Sequence, residues 1–154
     1  MSFIRYRGKT KIMYFPGDTA REVRDGGLVM LSDSFSVVPL RNDSSDRALG
    51  VARRNDTTTD SALVPVEVPV ENMVEWLIDV DSDAGLVDSD IGRYCGIDTT
   101  GGNSVNAGDS SGMRIDRSDT AVRQVFITGR VSASKAIGVI VNTVNKTLGD
   151  SAMG

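Results

Sequence analysis

Valine, isoleucine and leucine recur along this chain in short runs that alternate with polar positions, and turn residues separate the runs. The alternation has the period of two that places one face of a β-strand in a core. No window of about 12 residues carries the 3.6-residue apolar spacing of an amphipathic helix. The pattern predicts strands at 11–15, 28–31, 35–40, 48–53, 62–70, 74–80, 92–97, 112–115, 121–131 and 136–144.

Turn signals between these runs include "PGDT" at 16–19, "RNDSSD" at 41–46 and "SAS" at 132–134. They recur about every 8 to 15 residues, a spacing typical of β-sandwiches and β-barrels. A glycine-rich stretch at 98–112 is predicted to be a long surface loop that orders against another surface. We therefore predict an all-β single domain, a β-barrel or β-sandwich with long loops and an extended N-terminal segment.

The stretch "ALVPVEVPV" at 62–70 combines strand alternation with two prolines. Every second residue from Val64 to Val70 is valine, while Pro65 and Pro69 occupy the other parity. Proline has no N–H, so both prolines remove hydrogen-bond donors from the same lateral side of the strand. We predict an edge strand that pairs only through its valine side, with the charge of Glu67 discouraging a second partner.

The 154 residues fit one domain, with 1–14 as a basic and aromatic arm or a first strand and 15–154 as the β-domain. No apolar run approaches the roughly 18 residues of a membrane span, and the N-terminus lacks the apolar core of a signal peptide. The expectation is a chain that is made in a cytoplasm and has no membrane partner.

Charge is unevenly distributed along the chain. Residues 1–24 carry a net charge of +4 and the remainder carries −8, so general nucleic-acid binding is disfavoured. Apolar and basic side chains alternate at the start of the chain, as in a strand added to a neighbouring sheet, and the basic charge suits an acidic protein partner. The predicted partner-binding residues are Phe3, Ile4, Arg5, Tyr6, Arg7, Lys9 and Lys11.

Histidine is absent, which removes the commonest general base and metal ligand. The single Cys95 excludes an internal disulfide and is predicted to be a small buried hydrophobe. Large side chains predicted to anchor the core are Trp76, Phe35, Phe126 and Tyr14. These features predict neither catalytic residues nor a cofactor.

The acidic run "DVDSDAGLVDSD" at 79–90 places Asp79, Asp81 and Asp83 at positions 1, 3 and 5 of a calcium loop. Ala84 replaces the usual glycine, and Asp90 is shorter than the bidentate glutamate of such loops. Calcium binding and a solvated acidic loop remain alternatives, and the prediction is no metal site.

The segment "GLVDSDIGRYCGID" at 85–98 superficially resembles the third motif of trimeric dUTPases, with Asp88 and Tyr94 in the matching positions. The chain lacks the upstream phosphate motif and the aromatic C-terminal arm of that family. This departure weakens the enzymatic alternative.

A wider resemblance covers roughly residues 15–142. The stretch "GDTAREVRDGGLVMLSDSFSVVPLRNDSSDRALGVARRN", followed by "SALVPVEVPV", resembles the head decoration (cement) proteins of tailed bacteriophages. The similar parts are Gly17-Asp18, the apolar run Gly27–Leu31 and the strand Ala48–Ala52. "DIGRYCGID", "GDSSGMRIDRSDTAVRQVFITGRV" and "AIGVIVN" are similar to the closing half of such proteins.

The resemblance implies a non-enzymatic virion protein on the outer surface of the expanded capsid. It would clamp neighbouring major capsid subunits, as a homotrimer. Its basic, aromatic N-terminus departs from the Ser/Thr/Ala arm of the shorter family members, which leaves the mode of attachment open. Two alternatives are a glycan-binding β-module of a phage tail or fibre, with a cleft lined by Trp76 or Tyr94, and the trimeric nucleotide hydrolase.

Overall fold

The computed structural model describes residues 3–18, 21–43, 45–56, 63–71, 73–81, 85–98, 113–141 and 143. These residues form strands and one short 3-10 helix, η1 (Asp88–Asp90). The strands are β1 (Phe3–Arg7), β2 (Thr10–Phe15), β3 (Leu28–Leu31), β4 (Val37–Pro39), β5 (Gly50–Ala52), β6 (Val64–Pro69), β7 (Glu75–Asp79), β8 (Tyr94–Asp98), β9 (Arg114–Asp116), β10 (Val125–Ser132) and β11 (Lys135–Ile140). The all-β prediction is confirmed.

The strands form two antiparallel sheets. One has six strands in the order β1-β7-β11-β10-β8-β9, and the other has five in the order β2-β6-β5-β3-β4. The five-stranded sheet curls, because Gly17, just after β2, forms a bridge with Val37 of β4 at the opposite edge. The N–H of Val37 donates to the carbonyl oxygen of Pro16 at 2.8 Å. This bridge brings the two ends of the sheet together without forming a closed barrel.

Two hydrophobic cores lie on opposite faces of the five-stranded sheet. The larger core lies between the sheets, where Leu28 and Val51 pack with Trp76 and Ile78 of β7. The smaller core, which includes Val29 next to Leu28, is built by the five-stranded sheet and its flanking segments. Successive residues therefore enter different cores, which explains why the short strands of this sheet are apolar at both parities.

The prediction that β6 is an edge strand is wrong. β6 lies between β2 and β5, and it pairs with β2 along six residues from Val64 to Pro69. The N–H of Val70 donates to Lys9 O at 3.1 Å, so the valine parity faces β2. The N–H of Arg53 donates to Pro65 O at 2.9 Å, so the proline parity faces β5.

The short length of β5 makes a proline-bearing central strand possible. β5 has three residues, and it pairs with β6 only at Val66 and Glu67. Glu67 lies between the two prolines and keeps its N–H. The missing donors of Pro65 and Pro69 thus fall at the two ends of the β5 ladder, where little pairing is lost.

The predicted core anchors divide into two groups. Trp76 is fully buried, as predicted, and Phe126 is half-buried. The predictions for Phe35 and Tyr14 are wrong, because 74% and 64% of their surfaces are exposed. Phe3 is fully buried and provides a core aromatic ring that was predicted to belong to a partner-binding segment.

Cys95 is buried, as predicted, and burial raises the pKa of its thiol to about 12. The predicted loop at 98–112 lies outside the described residues apart from Asp98, and so does Asp83 of the acidic run. Among the described residues, no helix is long and apolar enough to cross a membrane.

Candidate functional site

The predicted N-terminal partner segment forms two consecutive strands, each at the edge of a different sheet. β1 is the end strand of the six-stranded sheet, and β2 is the end strand of the five-stranded sheet. Gly8 joins them at φ +110°, a conformation that suits glycine. Within the described part of the chain, no strand runs along the outer side of β1 or β2, although contacts at their ends occupy part of these sides: Phe3 N–H donates to Gly26 O, and Gly17, just after β2, bridges to Val37. We call residues 3–15 the N-terminal edge, and its geometry permits strand addition.

The side chains of the N-terminal edge are mainly apolar or basic, and residues 3–17 include no acidic residue. The exposed ones are Ile4, Arg5, Tyr6, Arg7, Lys9, Lys11, Ile12, Met13 and Tyr14. Six of the seven predicted partner-binding residues therefore lie at the surface. Phe3 is the exception, since its ring is fully buried and its N–H donates to Gly26 O at 3.0 Å.

A polar cluster holds β1 against the sheet. Arg7 Nε donates to Glu75 Oε1 at 2.9 Å, and Thr128 Oγ1 donates to Glu75 Oε2 at 2.7 Å. The Thr128 hydrogen bond is the main cause of a lowered pKa of Glu75, and Arg7 lowers it further against the opposing effect of burial. The pKa of Arg7 is raised by its hydrogen bond to Glu75. Both groups stay charged at neutral pH, so β1 is fixed to β7 and β10 by an ionised pair.

The remaining basic groups of the N-terminal edge carry uncompensated charge. Among the described residues, no carboxylate lies within ion-pair distance of Arg5, Lys9 or Lys11. The backbone N–H of Lys9 donates to Glu71 Oε1 at 3.0 Å, which holds the turn between the strands without pairing the Lys9 side chain. The edge therefore presents positive charge beside apolar side chains, a combination that suits an acidic protein surface.

Several carboxylates of the acidic run at 79–90 form ion pairs within the protein. Asp79 Oδ1 lies 3.2 Å from Lys135 Nζ, and the buried Asp90 lies 2.6 Å from Arg117 Nε through Oδ2. Among the residues that the structure describes, no group of three or more acidic, cysteine or histidine side chains is placed to hold a metal ion. Because Asp83 lies outside that part, calcium binding stays an alternative to the prediction of no metal site.

The two residues that matched the dUTPase motif lie in different surroundings. Asp88 is exposed on η1 and forms an ion pair with Arg130 at 3.3 Å. The ring of Tyr94 lies 5.0 Å from the ring of Phe126 between centroids. Asp88 does not line either of the two clefts that Tyr94 lines.

A cleft of about 260 Å³ lies where β7, β10 and β11 meet the segment that follows β6. Its lining is mainly apolar and includes Met73, Val74, Trp76, Tyr94, Phe126 and Val139. We call it the aromatic cleft. Trp76 has no exposed surface, whereas Tyr94 is 39% exposed, so Tyr94 offers the accessible ring. The glycan alternative predicted a cleft lined by Trp76 or Tyr94, and both residues line this one.

Arg123 adds a positive charge to a shallow surface that adjoins the aromatic cleft at Tyr94. Its guanidinium lies 5.2 Å from the centroid of the Tyr94 ring, within the range of a cation–π interaction. Arg93 and Thr120 line the shallow surface on the same side of Tyr94. Sequence reasoning missed this arrangement, because the residues come from three separate segments and no local motif connects them.

Searches with protein-family models, curated protein sequences and solved structures found no match to this chain.

Proposed function

We propose that this chain is a non-enzymatic structural virion protein that binds the outer surface of an expanded phage capsid. It would stabilise the shell by clamping neighbouring major capsid subunits. The observation that carries this proposal concerns the N-terminal edge. Its two consecutive strands are edge strands of two different sheets, and they present apolar and basic side chains. The resemblance of residues 15–142 to head decoration proteins supports it from the sequence.

Strand addition gives this surface a physical way to clamp. An extended capsid segment pairing with β1 or β2 would gain main-chain hydrogen bonds, and Ile4 or Tyr6 would supply side-chain contacts. Arg5, Lys9 and Lys11 would steer the edge toward an acidic capsid surface. Because Arg7 and Phe3 fix β1 to the body, a pull on the bound segment would be transmitted to the six-stranded sheet.

Stabilisation of the shell requires a difference in affinity between its two states. A protein that binds the expanded lattice but not the unexpanded one shifts the equilibrium toward expansion by mass action. Many copies act on one shell, so each copy needs to contribute only modest affinity.

The test is binding of the purified chain to expanded and unexpanded shells of the phage that encodes it, followed by sedimentation and negative-stain microscopy. We expect regular surface protrusions on expanded shells alone. The double variant Tyr6→Ser and Lys11→Glu should lose this binding while remaining folded, since both side chains are exposed. A control, Val131→Ser and Arg47→Glu, alters exposed residues elsewhere and should bind normally. Equal loading of both variants, or no loading of the wild type, would contradict the proposal.

Two other functions stay predictions of the sequence. Glycan binding at a phage tail or fibre predicts saturable oligosaccharide binding that Tyr94→Ala removes. The dUTPase-like alternative predicts pyrophosphate release from dUTP, which Asp88→Asn should abolish.

A further inference from the structure

Phe35 is displayed at the tip of the β3–β4 hairpin in an unusual conformation. Its φ is +63°, a left-handed value that asparagine and glycine adopt far more readily than an aromatic residue. Its side chain packs against little of its own chain, since 74% of the residue surface is exposed. A disfavoured backbone and an exposed aromatic ring at the same residue indicate a contact with another molecule.

A network of serine hydroxyls fixes this hairpin. The N–H of Ser32 donates to Ser36 O, and the N–H of Phe35 donates to Ser32 O, both at 2.9 Å. The Ser32 and Ser36 hydroxyls lie 2.8 Å apart, and Ser36 Oγ also donates to Asp18 Oδ2 at 2.9 Å. The hairpin that carries Phe35 is therefore ordered before binding, which reduces the conformational entropy lost on association.

The aromatic cleft has the size and chemistry to accept a phenyl ring. Its volume is about 260 Å³, and an apolar cavity of about 150 Å³ is known to hold benzene. Met73, Tyr94 and Phe126 provide its accessible apolar surface, and the buried Trp76 lies behind them in the lining. The cleft and the hairpin share no residue, so the molecule presents a projecting ring and a matching cavity on separate surfaces.

Charge is also complementary on the Tyr94 side of the cleft, although the cleft lining itself includes the carboxylate of Glu71. Asp33 is exposed two residues before Phe35, and Arg123 is exposed over Tyr94 on the surface that adjoins the cleft. Neither forms an ion pair with a described residue. Arg93 adds a second guanidinium on the same side of Tyr94. A ring entering the cleft with Asp33 beside it would place a carboxylate near these cations.

We propose that the chain self-associates through this pair of features, with Phe35 of one copy inserted in the aromatic cleft of the next and Asp33 facing Arg123. The contact is heterologous, since different surfaces of the two copies meet, so it forms a ring or an open chain rather than a two-fold dimer. This contact uses no part of the N-terminal edge and is independent of capsid binding.

The first experiment measures self-association of the full chain by sedimentation equilibrium at concentrations up to about 1 mM. The test variant is Phe35→Asn, because asparagine tolerates the left-handed backbone and removes the ring. We expect the dissociation constant to rise about 10- to 100-fold, because the variant loses the free energy of burying one aromatic side chain. Thermal unfolding of the variant should match or exceed that of the wild type, which separates lost association from lost folding.

The second experiment tests the heterologous arrangement. Met73→Glu with Arg123→Glu changes one exposed residue of the cleft and one of the adjoining surface and leaves Phe35 intact, while Phe35→Asn leaves the cleft intact. Neither variant should self-associate strongly, but a mixture should form a one-to-one heterodimer, since one ring and one cleft remain. A monomeric wild type, unchanged association of Phe35→Asn, or a mixture that stays monomeric would overturn the proposal. Loss of capsid binding with intact self-association would instead contradict only the proposed function.

Discussion

The Arg53 guanidinium donates a 2.8 Å hydrogen bond to Glu67 Oε2 and links the two sheets at the same time. Its other terminal nitrogen donates to Phe3 O at 2.8 Å, and its Cζ lies 5.8 Å from the ring centroid of Trp76. Arg53 and Glu67 belong to the five-stranded side, whereas Phe3 and Trp76 belong to the six-stranded sheet. One largely buried ion pair therefore joins both layers.

Replacing Glu67 with glutamine should lower the free energy of unfolding by about 2 kcal/mol, because the Arg53 guanidinium would remain largely buried without its charged partner. Urea unfolding at pH 7 measures this change. Glu71→Gln is the matched control, since Glu71 is exposed and accepts one hydrogen bond from the Lys9 backbone. It should cost less than about 1 kcal/mol. Similar losses in the two variants would show that Arg53 and Glu67 do not stabilise the sheet contact.

Phe3→Ala should lower the free energy of unfolding by about 3 to 4 kcal/mol, because Phe3 is fully buried between the sheets and its removal leaves a cavity. Tyr6→Ala, on the same strand, removes a side chain that is 54% exposed and should cost less than about 1 kcal/mol. Urea unfolding of both variants compares the two costs. A small effect of Phe3→Ala would mean that the first residues form a detachable arm rather than a strand of the body.

The lowered pKa of Glu75 predicts a loss of stability in acid. A carboxyl group with a folded-state pKa below its unfolded value, about 4.3, stabilises the fold above that pH and ceases to do so as pH falls through the folded-state pKa. The free energy of unfolding, measured with urea from pH 7 to pH 2, should therefore fall below about pH 4.3.

Thr128→Val tests the main cause of that shift, since it removes the hydroxyl that donates to Glu75. It should reduce stability at pH 7 by about 1.5 kcal/mol and make the acid-dependent loss smaller. Ser118→Ala is a control, because it removes an exposed hydroxyl that hydrogen-bonds to Asp116. An unchanged pH profile in Thr128→Val would assign the shift of Glu75 to another group.

Gly50→Ala should destabilise the β5–β6 pairing, because a Cβ at residue 50 would overlap the carbonyl oxygen of Glu67. Backbone must move to relieve this contact, and the expected cost is about 3 kcal/mol. Gly92→Ala is the control: its Cβ would meet no atom within 4 Å, and only its φ of +89° opposes the change. That cost should be about 1 kcal/mol by thermal or urea unfolding. Equal costs would indicate that β5 and β6 are not closely paired at Gly50.

The strand positions could be predicted because alternation is a local property. The runs at 28–31, 48–53 and 74–80, for example, contain β3, β5 and β7. Which strands become neighbours in a sheet is not a local property. Backbone parity predicts correctly which side of β6 lacks the two proline N–H groups. It does not predict that β6 is a central strand, which is possible because β5 is short enough to pair between Pro65 and Pro69.

Burial of single aromatic residues could not be predicted from composition. Phe35 and Phe3 are chemically identical, yet one is exposed at a hairpin tip and the other is enclosed by both sheets. The difference arises from contacts distant in sequence, since Phe3 meets Gly26 and Arg53. The aromatic cleft likewise joins residues from β7, β8, β10 and β11, whose proximity no local pattern specifies.

Local chemistry alone determined that this chain is all-β, that β6 has one side depleted of donors, and that the N-terminus is basic and aromatic. Those properties follow from side-chain period, proline geometry and charge, which act within a few residues. Tertiary packing settled that residues 3–15 end two different sheets, that Phe3 is core and that Phe35 is exposed. These outcomes depend on which strands pair. Strand pairing is determined by contacts between residues distant in sequence, because the pairing must bury both cores.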